Sequence, residues 1–246
     1  MKRFTLILLM VLSTVACRQI TLEEQIARIA DYSAKNPDTY AEGLQRFERD
    51  KRIDYLTLNL AKELKAEDIW TLESLGGNSL VAEYSGKDKK KTQFSLLSAS
   101  LEDPAACAVV LGTLRTLKDL KIKPKGSIRV LFYNPTVDSL GLTGLSSVYR
   151  EIYESGELVT FEVEVSSLDT LPVHTFRIEE KAAFAEQMME VIPPYLTPLG
   201  EFKFERGRYP NKEWPVKASV YRYHLDPAAD PAKESAVVAA FTYLVN

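Results

Sequence analysis

The stretch from Asp103 to Gly144 opens with Asp103-Pro-Ala-Ala-Cys107, runs through Ser127-Ile-Arg-Val-Leu-Phe-Tyr133 and closes with Asp138-Ser-Leu-Gly-Leu-Thr-Gly144. An Asp followed by Pro is an N-cap with Pro at the first helical position, so a helix is expected over 104–121, stopping near Lys123-Pro124. The β-branched and aromatic run at 127–133 reads as a buried strand. Outward from there, strands are expected at 79–84, 92–98, 158–165 and about 217–223. Helices are expected at 144–154, 179–191 and 234–244, the last with Val237, Phe241 and Leu244 in register. Strands alternating with helices predict a three-layer α/β/α sandwich, a mixed, largely parallel central sheet covered by helices on both faces. Ligand sites in open α/β sheets form where strands end. Asp103, Asp138, Asp169 and His224 each follow or close such a strand.

A helical segment precedes this unit. Thr21-Leu-Glu-Glu24 is a capping box, opening a helix with Leu22, Ile26 and Ile29 on one face. Asn36-Pro37-Asp38 breaks it, and further helices are expected over about 39–51 and 53–64. The chain thus divides into 1–17, 18–65 and the α/β unit 66–246. Gly86-Lys-Asp-Lys-Lys-Lys91 reads as a solvated hairpin turn after the strand at 79–84, with contact to an anionic membrane as the alternative.

Met1-Lys-Arg is followed by the apolar Phe4-Thr-Leu-Ile-Leu-Leu-Met-Val-Leu12 and then Ser13-Thr-Val-Ala-Cys17. A basic start, a short apolar core and small residues make a secretory signal. The apolar run falls short of the roughly 20 residues a spanning helix needs. Ala16-Cys17 resembles a bacterial lipoprotein cleavage site, although Thr14 stands where a Leu-type residue is usual. The implied product is lipidated at Cys17 and anchored to a membrane of the cell envelope, facing the periplasm or the surface. The alternative is an ordinary signal peptide cut near Ala16, leaving Cys17 a free thiol.

Loss of Lys2 and Arg3 with the signal takes the formal charge from −3 to −5. This acidic balance argues against nucleic acid as a partner. With Cys17 lipidated, Cys107 has no disulfide partner. Set among Ala105, Ala106, Ala108 and Val109, it reads as a small buried hydrophobe rather than a nucleophile.

The Asp103–Gly144 stretch resembles peptidase family 28 of the clan MH zinc exopeptidases, whose pattern is Asp-Asn-Ala-Ser-Gly, helix, strand, Glu-Glu-x-Gly-Leu-x-Gly. Tyr223-His-Leu-Asp226, continuing through Pro227 to Asp230-Pro231, is similar to the family's closing Tyr-His-Thr-x-x-Asp-Thr-Pro. The resemblance implies a phosphorylase/hydrolase-like sandwich in which Asp103 stands at the metal-bridging position, Asp169 at a strand-end ligand and His224 at the closing ligand. Trp214-Pro215 resembles the family's Ile-Pro turn. Asp138-Ser139 replaces the Glu-Glu pair of general base and ligand. Asp138 is the candidate base, with its carboxylate drawn back by about 1.5 Å for the missing methylene. Ser139 is a poor zinc ligand. The family's first zinc-binding His has no counterpart, because the strand 92–98 and the residues up to Asp103 contain none. His174 is out of place for that role and reads as a loop residue. A two-metal site is therefore not expected; the alternatives are a single weak zinc site on Asp103, Asp169 and His224, or no metal.

Three functions follow from the resemblance. The first is a membrane-anchored lipoprotein whose exopeptidase domain is degenerate and catalytically inactive, binding a peptide, glycan or protein partner. The second is an active zinc-dependent aminopeptidase with a reduced metal site. The third is a non-peptidase reaction of the kind glutaminyl cyclases carry out within the same clan.

Overall fold

The computed structural model describes residues 20–73, 77–88, 93–137, 143–168, 173–179, 182–207 and 219–246. The capping box at Thr21 forms in both directions: the Glu24 N–H donates to Thr21 Oγ1 at 3.2 Å, and the Thr21 N–H to Glu24 Oε2 at 3.0 Å. Helix α1, Leu22–Lys35, follows it. Helix α2 covers only Ala41–Arg46, and α3 runs Arg49–Glu63. The expected break near residue 52 lies instead at Phe47-Glu48, where both residues adopt extended backbone.

Eight strands then form one sheet: β1 Ile69–Leu72, β2 Ser79–Tyr84, β3 Gln93–Ser100, β4 Ser127–Tyr133, β5 Leu158–Ser166, β6 Thr175–Glu179, β7 Lys203–Arg206 and β8 Ser219–His224. Their spatial order is β1-β2-β4-β3-β5-β8-β6-β7. The central four, β4, β3, β5 and β8, are mutually parallel, whereas β2 and β6 run against them. The sandwich is three-layered and the sheet mixed but largely parallel, as the alternation predicts. Two expectations give way. The lysine run does not join a β2–β3 hairpin, because β2 pairs with β1 and β4 and β4 stands between β2 and β3; Lys89, Lys90 and Lys91 lie outside the described residues. The helix expected over 179–191 is shorter, since Thr175–Glu179 joins the sheet before helix α6, Ala182–Val191, which the short α7, Pro193–Leu196, follows.

Helix α4, Pro104–Asp119, is buried nearly all round because it is sandwiched between the sheet and α8, Pro231–Val245. On that face Leu97, Ala99, Val130, Phe132, Val163, Val165 and Tyr223 meet the helices in one large core. Ile26, Ile29, Leu44, Leu56 and Leu60 of the N-terminal helices belong to the same core. Helix α5, Gly144–Ser155, packs on the opposite face through Val148, Tyr149 and Ile152 against Val81, Phe94, Leu96 and Leu131.

Candidate functional site

The carboxyl ends of β4, β3, β5 and β8 lie side by side, and this edge carries the two candidate ligands among the described residues. Asp103 caps α4 just beyond β3, as its Asp-Pro sequence dictates: its Oδ1 accepts the Ala106 N–H at 3.0 Å. The same carboxylate reaches across to the exit of β5. The Ser167 N–H donates to Oδ2 at 2.6 Å, and the Ser167 hydroxyl donates to Oδ1 at 2.7 Å. Asp103 is only 1% exposed. His224 is the last residue of β8 and is buried there, in register with Ser166 of β5 and Thr175 of β6. The next N–H, that of Leu225, donates to the Ser166 carbonyl at 2.9 Å. Asp103 and Leu225, the residue after His224, therefore bond to consecutive residues of the β5 exit, Ser167 and Ser166. Asp138 and Asp169 lie outside the described residues, as do Ser139, Cys17 and the Trp214-Pro215 turn.

Neighbouring elements fix this edge. Arg52 of α3 donates to the Leu101 carbonyl at 2.5 Å, and Arg49 donates to Thr136 Oγ1 at 2.6 Å and faces Glu102 at 3.5 Å. The helical segment thus forms one wall of the site. Gly144, the last residue of the Asp138–Gly144 motif, donates its N–H to the Asn134 carbonyl at 2.8 Å. A Cβ there would stand 2.7 and 2.8 Å from the Asn134 backbone oxygen and nitrogen, so only glycine permits the approach. Val137, Leu168 and Val173 stand exposed on the rim, Leu168 at 61%.

Two buried polar clusters adjoin the edge that sequence reasoning did not single out. Glu162, 0% exposed, accepts from Ser98 Oγ at 3.2 Å and from the Tyr149 hydroxyl. Beside it Glu164 accepts from Tyr133 OH at 3.1 Å and from Arg222 Nε at 2.9 Å. The alternation of Glu with apolar residues through 161–165 was the available signal, since both glutamates face the sheet surface opposite α4. The second cluster unites Glu234 of α8, the Tyr223 hydroxyl that donates to it, and His174, whose Nδ1 lies 3.4 Å from Glu234 Oε1. Burial pushes the Glu234 carboxyl above its usual range, while Tyr223, His174 and Lys233 pull it back. His174 is a half-exposed loop residue as expected, but it sits at φ 55°, a left-handed conformation uncommon outside glycine.

Cys107 is buried behind Asp103, its Sγ donating to the Ser100 carbonyl at 3.2 Å. Burial first, and then the Asp103 carboxylate, push its thiol far above the ordinary range, so it is no nucleophile. Among the described residues no group of three or more His, Cys, Asp or Glu side chains could hold a metal ion. Nor does Asp103 fit the bridging role: three donors already occupy a carboxylate with about four lone-pair sites.

No family model and no curated protein sequence matches the chain. Solved structures do match. The LapA aminopeptidase of Legionella pneumophila superposes with a TM-score of 0.60 at 15% identity, over 91% of this chain and 75% of that one. A glutaminyl cyclase of Bacteroides thetaiotaomicron, bound to N-acetylhistamine, gives 0.52 at 12% identity, over 92% and 98%. A peptidase M28 precursor from Shewanella amazonensis gives 0.50 at 18% identity, over 69% of this chain and 44% of that one, so the chain spans less than half of its length. Peptidase and cyclase share one scaffold at these identities, so the likeness carries architecture and not chemistry. The chain has the fold of the family 28 zinc exopeptidases, and its sequence departs from their metal and base positions.

Proposed function

We propose that this protein is a lipid-anchored envelope protein that uses a degenerate exopeptidase scaffold to bind rather than to cleave. The observation that carries this reading is the state of Asp103. At the position that corresponds to the family's metal bridge, its oxygens accept from Ala106 and twice from Ser167. The carboxylate serves as a tie between α4 and the exit of β5. The exposed apolar side chains of Val137, Leu168 and Val173 at the same edge favour a peptide or protein segment with apolar side chains over a glycan. Arg49 adds a charged donor at its border.

One observation favours a second reading. Asp103 bonds to Ser167 and His224 stands in register with Ser166, the segment that leads to Asp169, so a single zinc bound by the three residues in an active exopeptidase is the competing function. Zinc titration by calorimetry, beside a His224→Ala variant, separates the two. Binding is expected to be absent or equal in both proteins, with no hydrolysis of aminoacyl chromogenic substrates above the variant. Submicromolar zinc binding and hydrolysis that both vanish with His224 would overturn the binding reading and establish the enzyme.

A further inference from the structure

The end of the sheet opposite the candidate site is built from two loops locked together. The Lys87 N–H donates to the Pro124 carbonyl at 2.9 Å, and the Asp88 N–H to the Lys125 carbonyl at 2.8 Å. In Lys121-Ile-Lys-Pro-Lys125 exposure alternates: Ile122 and Pro124 are buried and pin the loop, while the three lysines are exposed. Lys87 is exposed beside them. None of these four lysines has a carboxylate partner among the described residues. The carboxylates close to them in sequence are largely committed elsewhere. Asp119 takes the Tyr32 hydroxyl at 2.5 Å and lies 3.7 Å from Arg115, leaving Asp88 as the acidic side chain within the two loops. A cationic face on a net-acidic protein is thus held in a fixed shape. Gln93 and Leu158, paired across β3 and β5, open their strands at this same end, and Leu158 is exposed. Phe184, also exposed, lines a cavity there with Lys125, Phe94 and Tyr221.

Helix α1 points its N-terminus to this end. It runs antiparallel to α4: Ser33 and Asn36 lie beside Gly112 and Thr116, Tyr32 reaches Asp119, and Arg28 donates to the Leu120 carbonyl at 3.4 Å. Leu22 lies six residues before Arg28, about 9 Å further along the helix axis and past the end of α4. From Ile20 back to Cys17 is at most about 10 Å of extended chain. The candidate site lies at the other end of the strands, about 25 Å away for strands of this length.

We infer that the face carrying Lys87, Lys121, Lys123 and Lys125 rests on an anionic lipid surface, turning the candidate site away from the membrane. This deepens the anchored reading and rests on it for the acyl chains at Cys17. The lysines attract anionic headgroups, each strengthening partitioning by about fivefold near the surface. Exposed Leu158 and Phe184 suit an interface with lipid rather than with a soluble polyanion.

The test places the lipidated protein in nanodiscs of phosphatidylcholine alone and of phosphatidylcholine with phosphatidylglycerol, and reads backbone hydrogen exchange. On the anionic discs, exchange at 85–88 and 119–126 is expected to slow on the order of tenfold relative to neutral discs. The quadruple variant K87E/K121E/K123E/K125E should lose that protection while exchanging normally in the core, and added salt should remove it from the parent. Equal exchange on both discs, or slowing at 134–137 and 166–168 instead, overturns the inference and leaves the anchor intact. A protein that washes off both discs overturns the anchored reading, and the inference with it.

Discussion

Asp103 and Ser167 are joined by two hydrogen bonds, of 2.6 and 2.7 Å, that tie the start of α4 to the exit of β5. Both bonds end on a carboxylate, so each is of the stronger, charge-assisted kind. Removing the acceptor also uncaps α4 and strands buried donors. Asp103→Ala should therefore cost about 3 kcal/mol, against about 1 kcal/mol for Ser167→Ala. Urea denaturation of the two single variants and the double variant should show strong non-additivity. Additive losses would mean that the contact is not a working tie.

Cys107 should resist thiol reagents in the folded protein. It is buried, and burial together with Asp103 holds its thiol well above the range in which thiolate forms. Labelling should proceed only through opening of the core and accelerate with denaturant. Rapid stoichiometric labelling of the native protein would contradict the packing around it.

Gly144→Ala should destabilise by about 2 kcal/mol, because the added methyl meets backbone atoms of Asn134 that cannot swing aside. The thermal midpoint measures it. Gly156→Ala is the control: Gly156 has φ 72° but open space around it, so only the backbone cost of roughly 1 kcal/mol applies.

Two glutamates should push stability in opposite directions with pH. Burial raises the Glu234 pKa, so the folded state holds that proton more tightly than the unfolded one. Its contribution is present below the ordinary glutamate range and is lost as pH rises through the folded pKa. Glu157 is lowered, first by its hydrogen bonds to Arg129, so its contribution is present above the ordinary range and is lost on acidification through its folded pKa. Chemical denaturation across pH should show the wild-type advantage over Glu234→Gln shrinking as pH rises, and that over Glu157→Gln shrinking as it falls. Parallel profiles would refute both assignments.

Much of this was legible from the sequence because it rests on local chemistry. The capping box at Thr21, the Asp103-Pro104 helix start and the strands 79–84 and 127–133 stand where their residues put them. Asp103 and His224 each lie at a strand end, where the α/β alternation puts them. What could not be read was non-local. Strand β6 is only five residues long and lies just before a helical run, so Glu179 was read into that run and residues 175–178 into no element. The strands either side of the lysine run looked like hairpin partners, and only the insertion of β4 between β2 and β3 shows that they are not neighbours. Ser167 gave no sign of binding Asp103, since a serine after a strand is ordinary and its partner is 64 residues earlier.

The place of β8 has a consequence for how the molecule is made. The last strand in the sequence does not join an edge; it inserts between β5 and β6, and α8 then seals α4. Until those residues have been synthesised, β5 keeps an open edge and the apolar face of α4 that α8 covers stays bare. The chain cannot build its core progressively from the N-terminus. Folding of this layer waits for residues 219–246, so the order of the strands in space, not their order in the chain, decides when the core can close.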